Sequence, residues 1–127
     1  MKILITIIAS VAVFSWVVSK PYAEQPTVKA SWYGKAYRGN LCADNKTVFD
    51  ERDPTIIAHR TLPFGTKLKV NITKNRFIIG TVRDRGPWTK DKSGQYKREV
   101  DLSKAGFVQL CGDADAGVIS VKLTILR

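Results

Sequence analysis

The chain has 127 residues, with 21 Lys and Arg against 11 Asp and Glu for a formal charge of +10, a single His, two Cys and 44% hydrophobic residues. That length holds one small domain, and ordinary apolar content with 25% charged residues excludes collagen-like and wholly disordered chains. One His and two Cys fall short of the four ligands of a structural zinc site, so no metal and no cofactor is expected.

From Ile3 to Ser19 the chain carries no charge, between Lys2 and Lys20. The run reads as a secretory signal occupying residues 1–23, cleaved after Ser19 or Ala23. It is longer than the usual signal core of about 7 to 15 residues and shorter than a span of about 20, so an uncleaved anchor is the alternative. No Cys lies near either cut, which argues against a lipid anchor. The domain expected to remain, residues 24–127, is exported to the periplasm or outside the cell, keeps a +8 balance and is read as a monomer without stable membrane insertion. Such a charge attracts polyanions through fields that salt screens, or simply keeps the protein soluble. Nucleic acid is set aside, because the charges are dispersed instead of interleaved with aromatics and the chain leaves the cytoplasm.

After a short linker at residues 24–27 comes a candidate strand, Val28 to Tyr33. Lys67 to Thr73 alternates Leu68, Val70 and Ile72 with polar residues, the period of a half-buried strand. Phe77 to Arg83 follows a turn at Lys74-Asn75. Ser103 is suited to cap one short helix over Lys104 to Leu110, which Cys111-Gly112 ends. Val118 to Leu126 alternates again, with Ile119, Val121, Leu123 and Ile125 on one face. Short strands, Gly and Pro turns and one helix predict an all-β fold, a small closed β-barrel.

Cys42 and Cys111 are an even pair in an exported domain, which predicts one disulfide. With 68 residues between them, the bridge would constrain the unfolded chain by about 4 kcal/mol.

Four motifs in order carry most of the information: ASWYG (Ala30 to Gly34), AHRTLPFGT (Ala58 to Thr66), VRDRGP (Val82 to Pro87) and VDLS (Val100 to Ser103). Together they resemble the rare lipoprotein A family, over essentially the whole of residues 24–127. The resemblance implies a six-stranded double-psi β-barrel, a fold shared with expansins. It also implies a lytic transglycosylase that cleaves peptidoglycan glycan strands, with a preference for strands stripped of stem peptides, and a wall polysaccharide as partner.

His59, the only histidine, offers a donor and an acceptor with a charge tunable near neutrality. Its plainer role is to satisfy a turn beside Arg60-Thr61, while the resemblance places a functional His here. Asp84 lies two residues beyond Val82, so in a continuous strand the two share a face and Asp84 lines the barrel or groove, with Arg83 and Arg85 opposite. A carboxyl acts as general acid only where desolvation or a like charge raises its pKa; otherwise Asp84 shapes the RGP turn. Asp101, between Val100 and Leu102, faces away from both in an extended segment, or begins the turn into the helix at Ser103. The reaction implied by the resemblance passes one proton from a carboxyl to the glycosidic oxygen, and the muramic C6 hydroxyl closes a 1,6-anhydro ring. Asp84 is favoured as the acid/base, with His59 and Asp101 positioning substrate or tuning it.

The chain departs from the family pattern. Where relatives carry a functional Glu shortly before a Phe, counting back from Phe49 in CADNKTVFD reaches Thr47, which hydrogen-bonds a sugar but supplies no carboxylate. Asp44, Asp50 and Glu51 are the nearby substitutes, and Arg83 stands where Asn is usual. Sugars present apolar C–H faces to aromatic rings, so Trp32, Tyr33 and Trp88 are candidate contacts, with Arg85 and Thr47 as polar ones. Trp32 and Tyr33 are adjacent in a strand, so one packs inside and the other reaches the groove. The rival reading is a non-catalytic, expansin-like polysaccharide-binding or wall-loosening barrel.

Overall fold

The computed structural model describes residues 26–127. The charge-free segment Ile3 to Ser19 and both expected cleavage points lie outside them. Six strands close into one barrel: β1 (Thr27–Tyr33), β2 (Ile56–His59), β3 (Lys67–Thr73), β4 (Arg76–Asp84), β5 (Val100–Ser103) and β6 (Ile119–Leu126), in the order β1-β5-β2-β4-β3-β6. The β1/β5 and β2/β4 pairs are parallel and the other four antiparallel. Closure leaves no free sheet edge.

The core is filled by alternate residues of every strand. Ala30, Ile57, Leu68, Val70, Val82, Val100, Leu102 and Val121 are at most 1% exposed and form one cluster. Phe107 and Leu110 join it from helix α1 (Lys104–Cys111). Ser103 caps α1 by accepting from the Gly106 N–H at 3.2 Å, and Gly112 ends it in the left-handed region at φ 88°. Cap and stop both sit where the sequence predicts them.

The four strands expected from the sequence, β1, β3, β4 and β6, are present, each within about two residues of its expected limits. The two strands beyond these are β2 and β5, at four residues each. All four residues of β2 are buried, so it has no polar face and no period-2 signal.

The predicted Cys42–Cys111 bridge is not formed: both are free thiols. Cys42 packs with Phe49, Ile56 and Tyr33 in a second small cluster, and the residues after it bond the end of β4, Ala43 N–H to Asp84 at 2.9 Å and Asp44 N–H to the Arg83 carbonyl at 3.1 Å. Cys111 ends α1, where Gly112 lies beside the Arg76 guanidinium at the start of β4. At about 3.3 Å per residue those two ends of β4 lie about 26 Å apart, whereas a bridge needs Cα atoms within about 7 Å. An even cysteine count says nothing about that separation.

Candidate active site

A groove of about 350 Å³ opens on the outer face of β1, β5, β2 and the end of β4, lined by residues that include Tyr33, Ala58, Asp84, Pro87, Arg98 and Asp101. Strand parity decides which side chains reach it. In β5, Val100 and Leu102 enter the core, so Asp101 faces out, as the sequence suggests. In β1, Ala30 is in the core with Trp32 packed against it, so Ser31 and Tyr33 face the groove. Ser31 pairs with Asp101 in register and donates its hydroxyl to the Asp101 carboxylate.

Asp84 reaches the same face by a different route. The β2/β4 ladder pairs Ile57 with Val82 and then Ala58 with Asp84, skipping Arg83. That bulge reverses the parity of β4: Val82 stays in the core, while Asp84 takes the face of Ala58 instead of the face of Val82. The expectation that Asp84 shares a face with Val82 is therefore corrected, because the strand is not continuous in register. Ala58 pairs with Asp84 on one side and Asp101 on the other, so the two aspartates flank it. With strands about 4.8 Å apart, their Cα atoms sit about 10 Å apart across a small side chain.

The two carboxylates have different surroundings. Asp84 accepts from the Ala43 and Arg85 N–H groups at 2.9 Å each through Oδ1, and from the Tyr33 hydroxyl at 3.1 Å through Oδ2. Tyr33 stacks on Phe49 at a centroid distance of 4.1 Å, and burial raises its pKa, so it is a neutral donor. Burial raises the pKa of Asp101 above the usual carboxylate range and the Asp84 charge adds to this, while the Ser31 hydrogen bond and the Arg98 charge oppose it.

The other sequence-predicted residues divide between the groove and its support. Arg85 and Trp88 line the groove, Trp88 at the rim with 58% of its surface exposed. Trp32 does not: its indole N–H donates to the Ala114 carbonyl at 2.8 Å on the core side of β1, leaving Tyr33 as the aromatic of that pair in the groove. Thr47 is turned into its own loop, its hydroxyl donating to Asp44 at 2.7 Å. Asp44 also caps that loop through the Lys46 and Thr47 N–H groups. Asp50 pairs with Arg52 and Glu51 with Arg38, and these partners hold both carboxyls at about 2. None of Asp44, Asp50 and Glu51 lines the groove in place of the missing Glu.

His59 lies behind the groove, 5% exposed. Its Nδ1 accepts from the Thr61 and Leu62 N–H groups at 3.1 Å each, which puts the proton on Nε2 facing Glu99 Oε1 at 3.0 Å. Burial lowers its pKa, partly offset by Glu99, so the neutral ring predominates. Glu99 also accepts from Arg60 at 2.8 Å, and Arg60 donates to the carbonyls of Pro87 at 2.8 Å and Arg98 at 2.7 Å, tying the two walls of the groove together. Arg60, Glu99, Ser31 and Arg98 were not singled out from the sequence. Parity with Tyr33 was the available signal for Ser31; the Arg60 brace spans up to 39 residues and leaves no local pattern.

The family model described as lytic transglycolase matches residues 25–123. A probable endolytic peptidoglycan transglycosylase RlpA from Synechocystis is 38% identical over 99 residues, covering 77% of this chain and 28% of the relative. The endolytic peptidoglycan transglycosylase RlpA of Vibrio cholerae is 32% identical over 111 residues, covering 87% of this chain and 39% of its own length. The chain thus spans well under half the length of these relatives. Among solved structures, the Streptomyces papain inhibitor matches with a TM-score of 0.60 at 24% identity, covering 84% of this chain and 98% of that one. The apo expansin of Clavibacter michiganensis matches at 0.53 and 21%, covering 82% and 51%. These two likenesses establish the barrel fold.

Proposed function

The chain belongs to the lytic transglycolase family, and from that premise we propose that it cleaves peptidoglycan glycan strands, preferring peptide-free ones, to leave 1,6-anhydromuramyl ends. The observation that carries this reading is the convergence of Asp84 and Asp101 across Ala58 on the floor of one open groove. We assign the proton to Asp101, reversing the order favoured from sequence, because burial stabilises its neutral form whereas three donors occupy the oxygens of Asp84.

Asp101 gives its proton to the glycosidic oxygen as the C1–O bond breaks and its electron pair moves to that oxygen. Asp84, its oxygens held by three donors, faces the oxocarbenium-like sugar and stabilises its positive charge. The muramic C6 hydroxyl then attacks C1, and its proton returns to the Asp101 carboxylate, so no water is consumed. His59 is a positioning residue: it holds the Thr61–Leu62 turn and, through Glu99 and Arg60, the groove walls. Action on a wall glycan supports the reading of an exported protein with residues 1–23 as its export segment, and we take it to act as a monomer. Among the described residues no helix is long and apolar enough to cross a membrane.

One observation favours a second reading. With Thr47 bonded to Asp44, and Asp44, Asp50 and Glu51 committed elsewhere, the groove holds two carboxylates where the family pattern implies a third, which suits an expansin-like binder. Mass analysis of peptide-stripped glycan strands after incubation with the protein separates the two. Anhydromuramyl ends from the native protein, reduced at least about 100-fold by Asp101→Asn, support the enzyme. Intact strands that co-sediment with the protein support the binder.

A further inference from the structure

The arginines around the groove differ in how fully their charges are satisfied. Arg85 is committed: its Nη1 donates to the His59 carbonyl at 3.1 Å and the Leu62 carbonyl at 2.7 Å, and its guanidinium lies 3.8 Å from the Phe64 ring centroid. Arg60 is committed to two carbonyls and Glu99, and stacks on Tyr96 at 3.9 Å. Arg98 is not. It lines the groove with Asp101, yet its guanidinium makes one hydrogen bond, from Nη2 to the Thr89 hydroxyl at 3.2 Å. Its Nε is enclosed without a partner. The ion pairs among the described residues are Arg38–Glu51, Arg52–Asp50 and the pairing of Glu99 with His59 and Arg60, so none involves Arg98.

A half-buried guanidinium with unused donors is costly unless a ligand satisfies it. Its planar fork matches a carboxylate or a phosphate. Asp84 and Asp101 in the same groove repel a doubly charged phosphate more than a singly charged carboxylate. The geometry points to Arg98, seconded by Thr89, as the subsite for a free carboxylate carried by the bound glycan, so the substrate is a strand of acidic sugars and Arg98 a specificity-determining residue. This deepens the glycan reading and rests on it.

The placement has a consequence for the reaction. Arg98 is the cation that opposes protonation of Asp101. A substrate carboxylate on Arg98 neutralises that charge, so Asp101 holds its proton more readily when a charged strand is bound. Strands whose carboxyls are masked bind less tightly and also leave Asp101 less ready to donate.

The test measures binding of the full protein, carrying Asp101→Asn to block turnover, to peptide-free glycan strands and to the same strands with their carboxyls converted to methylamides. Methylamidation weakens binding by about tenfold, the effect of one charge-assisted hydrogen-bonded pair. Adding Arg98→Gln gives the same weak affinity for both strands, and Arg98→Lys keeps part of the difference. Unchanged thermal unfolding of the Arg98 variants shows that the fold is retained. Equal binding of both strands without the Arg98 change, or discrimination that survives Arg98→Gln, overturns the assignment. Discrimination without anhydromuramyl products from the native protein leaves Arg98 standing and removes the lyase reading; failure to bind either strand removes both.

Discussion

Tyr33→Phe isolates one of the three donors that hold Asp84. The substitution removes the hydroxyl 3.1 Å from Asp84 Oδ2 and keeps the ring that stacks on Phe49 at 4.1 Å and meets Tyr37 edge-on at 5.8 Å. A hydrogen bond to a charged acceptor contributes about 1.5–3 kcal/mol. The lower end applies, since the groove admits water and Asp84 retains the Ala43 and Arg85 N–H groups. For a domain of about 100 residues, about 1.5 kcal/mol lowers Tm by about 6 to 12 °C. Thermal unfolding followed by circular dichroism measures it, and combining the change with Asp84→Asn completes a cycle whose coupling should exceed about 0.5 kcal/mol. A Tm within about 2 °C of the parent, or strictly additive single changes, would refute the view that Tyr33 holds the Asp84 carboxylate.

Burial lowers the pKa of His59, so between its folded value and the unfolded value of about 6.5 the unfolded chain binds more protons. Stability is full above about pH 6.5 and declines as pH falls below it; urea midpoints at pH 7.5 and 5.5 should show the decline, and His59→Gln should flatten it. Cys111, half-buried, should take up iodoacetamide in the native protein, whereas Cys42, buried and with its thiol pushed up to about 12, should react only on unfolding. Mass analysis without reductant should find two adducts after unfolding, and none would restore the disulfide. Gly80→Ala should destabilise by about 1–3 kcal/mol, because a Cβ there would lie 2.6 Å from Ile57 Cδ1 and 2.8 Å from the Thr55 carbonyl, itself held by the Thr81 N–H at 2.8 Å. An unchanged denaturant midpoint would contradict that packing.

The strands with one buried face wrote themselves into the sequence. Leu68 and Val70 in β3, and Ile119 and Val121 in β6, recur every second residue because successive side chains take opposite faces. Ser103 and Gly112 marked the ends of α1 because caps are local chemistry. β2 left no such mark, since its four residues are all buried and a period needs contrast. The relation between the cysteines was equally invisible, because it depends on which end of β4 each approaches.

The same division runs through the site. The ordered motifs named Asp84, Asp101 and His59, and local alternation aimed Asp101 correctly. Alternation alone would have put Asp84 on the face of Val82; the bulge at Arg83 turned it toward Asp101, and it exists only as a register between β2 and β4. The sequence leaves His59 between satisfying a turn and positioning the site, and its ring bonds both the Thr61 and Leu62 N–H groups nearby and Glu99, 40 residues away. The uncommitted charge of Arg98 likewise becomes visible only once the partners of Arg60 and Arg85 are known. Sequence by itself determined the residue types, the barrel class and the order of the motifs, since periodicity and capping act over a few neighbouring residues. Parity, pairing and spare hydrogen-bonding capacity were decided by the closed barrel, because they are relations between strands far apart in the chain, and no short stretch contains both partners.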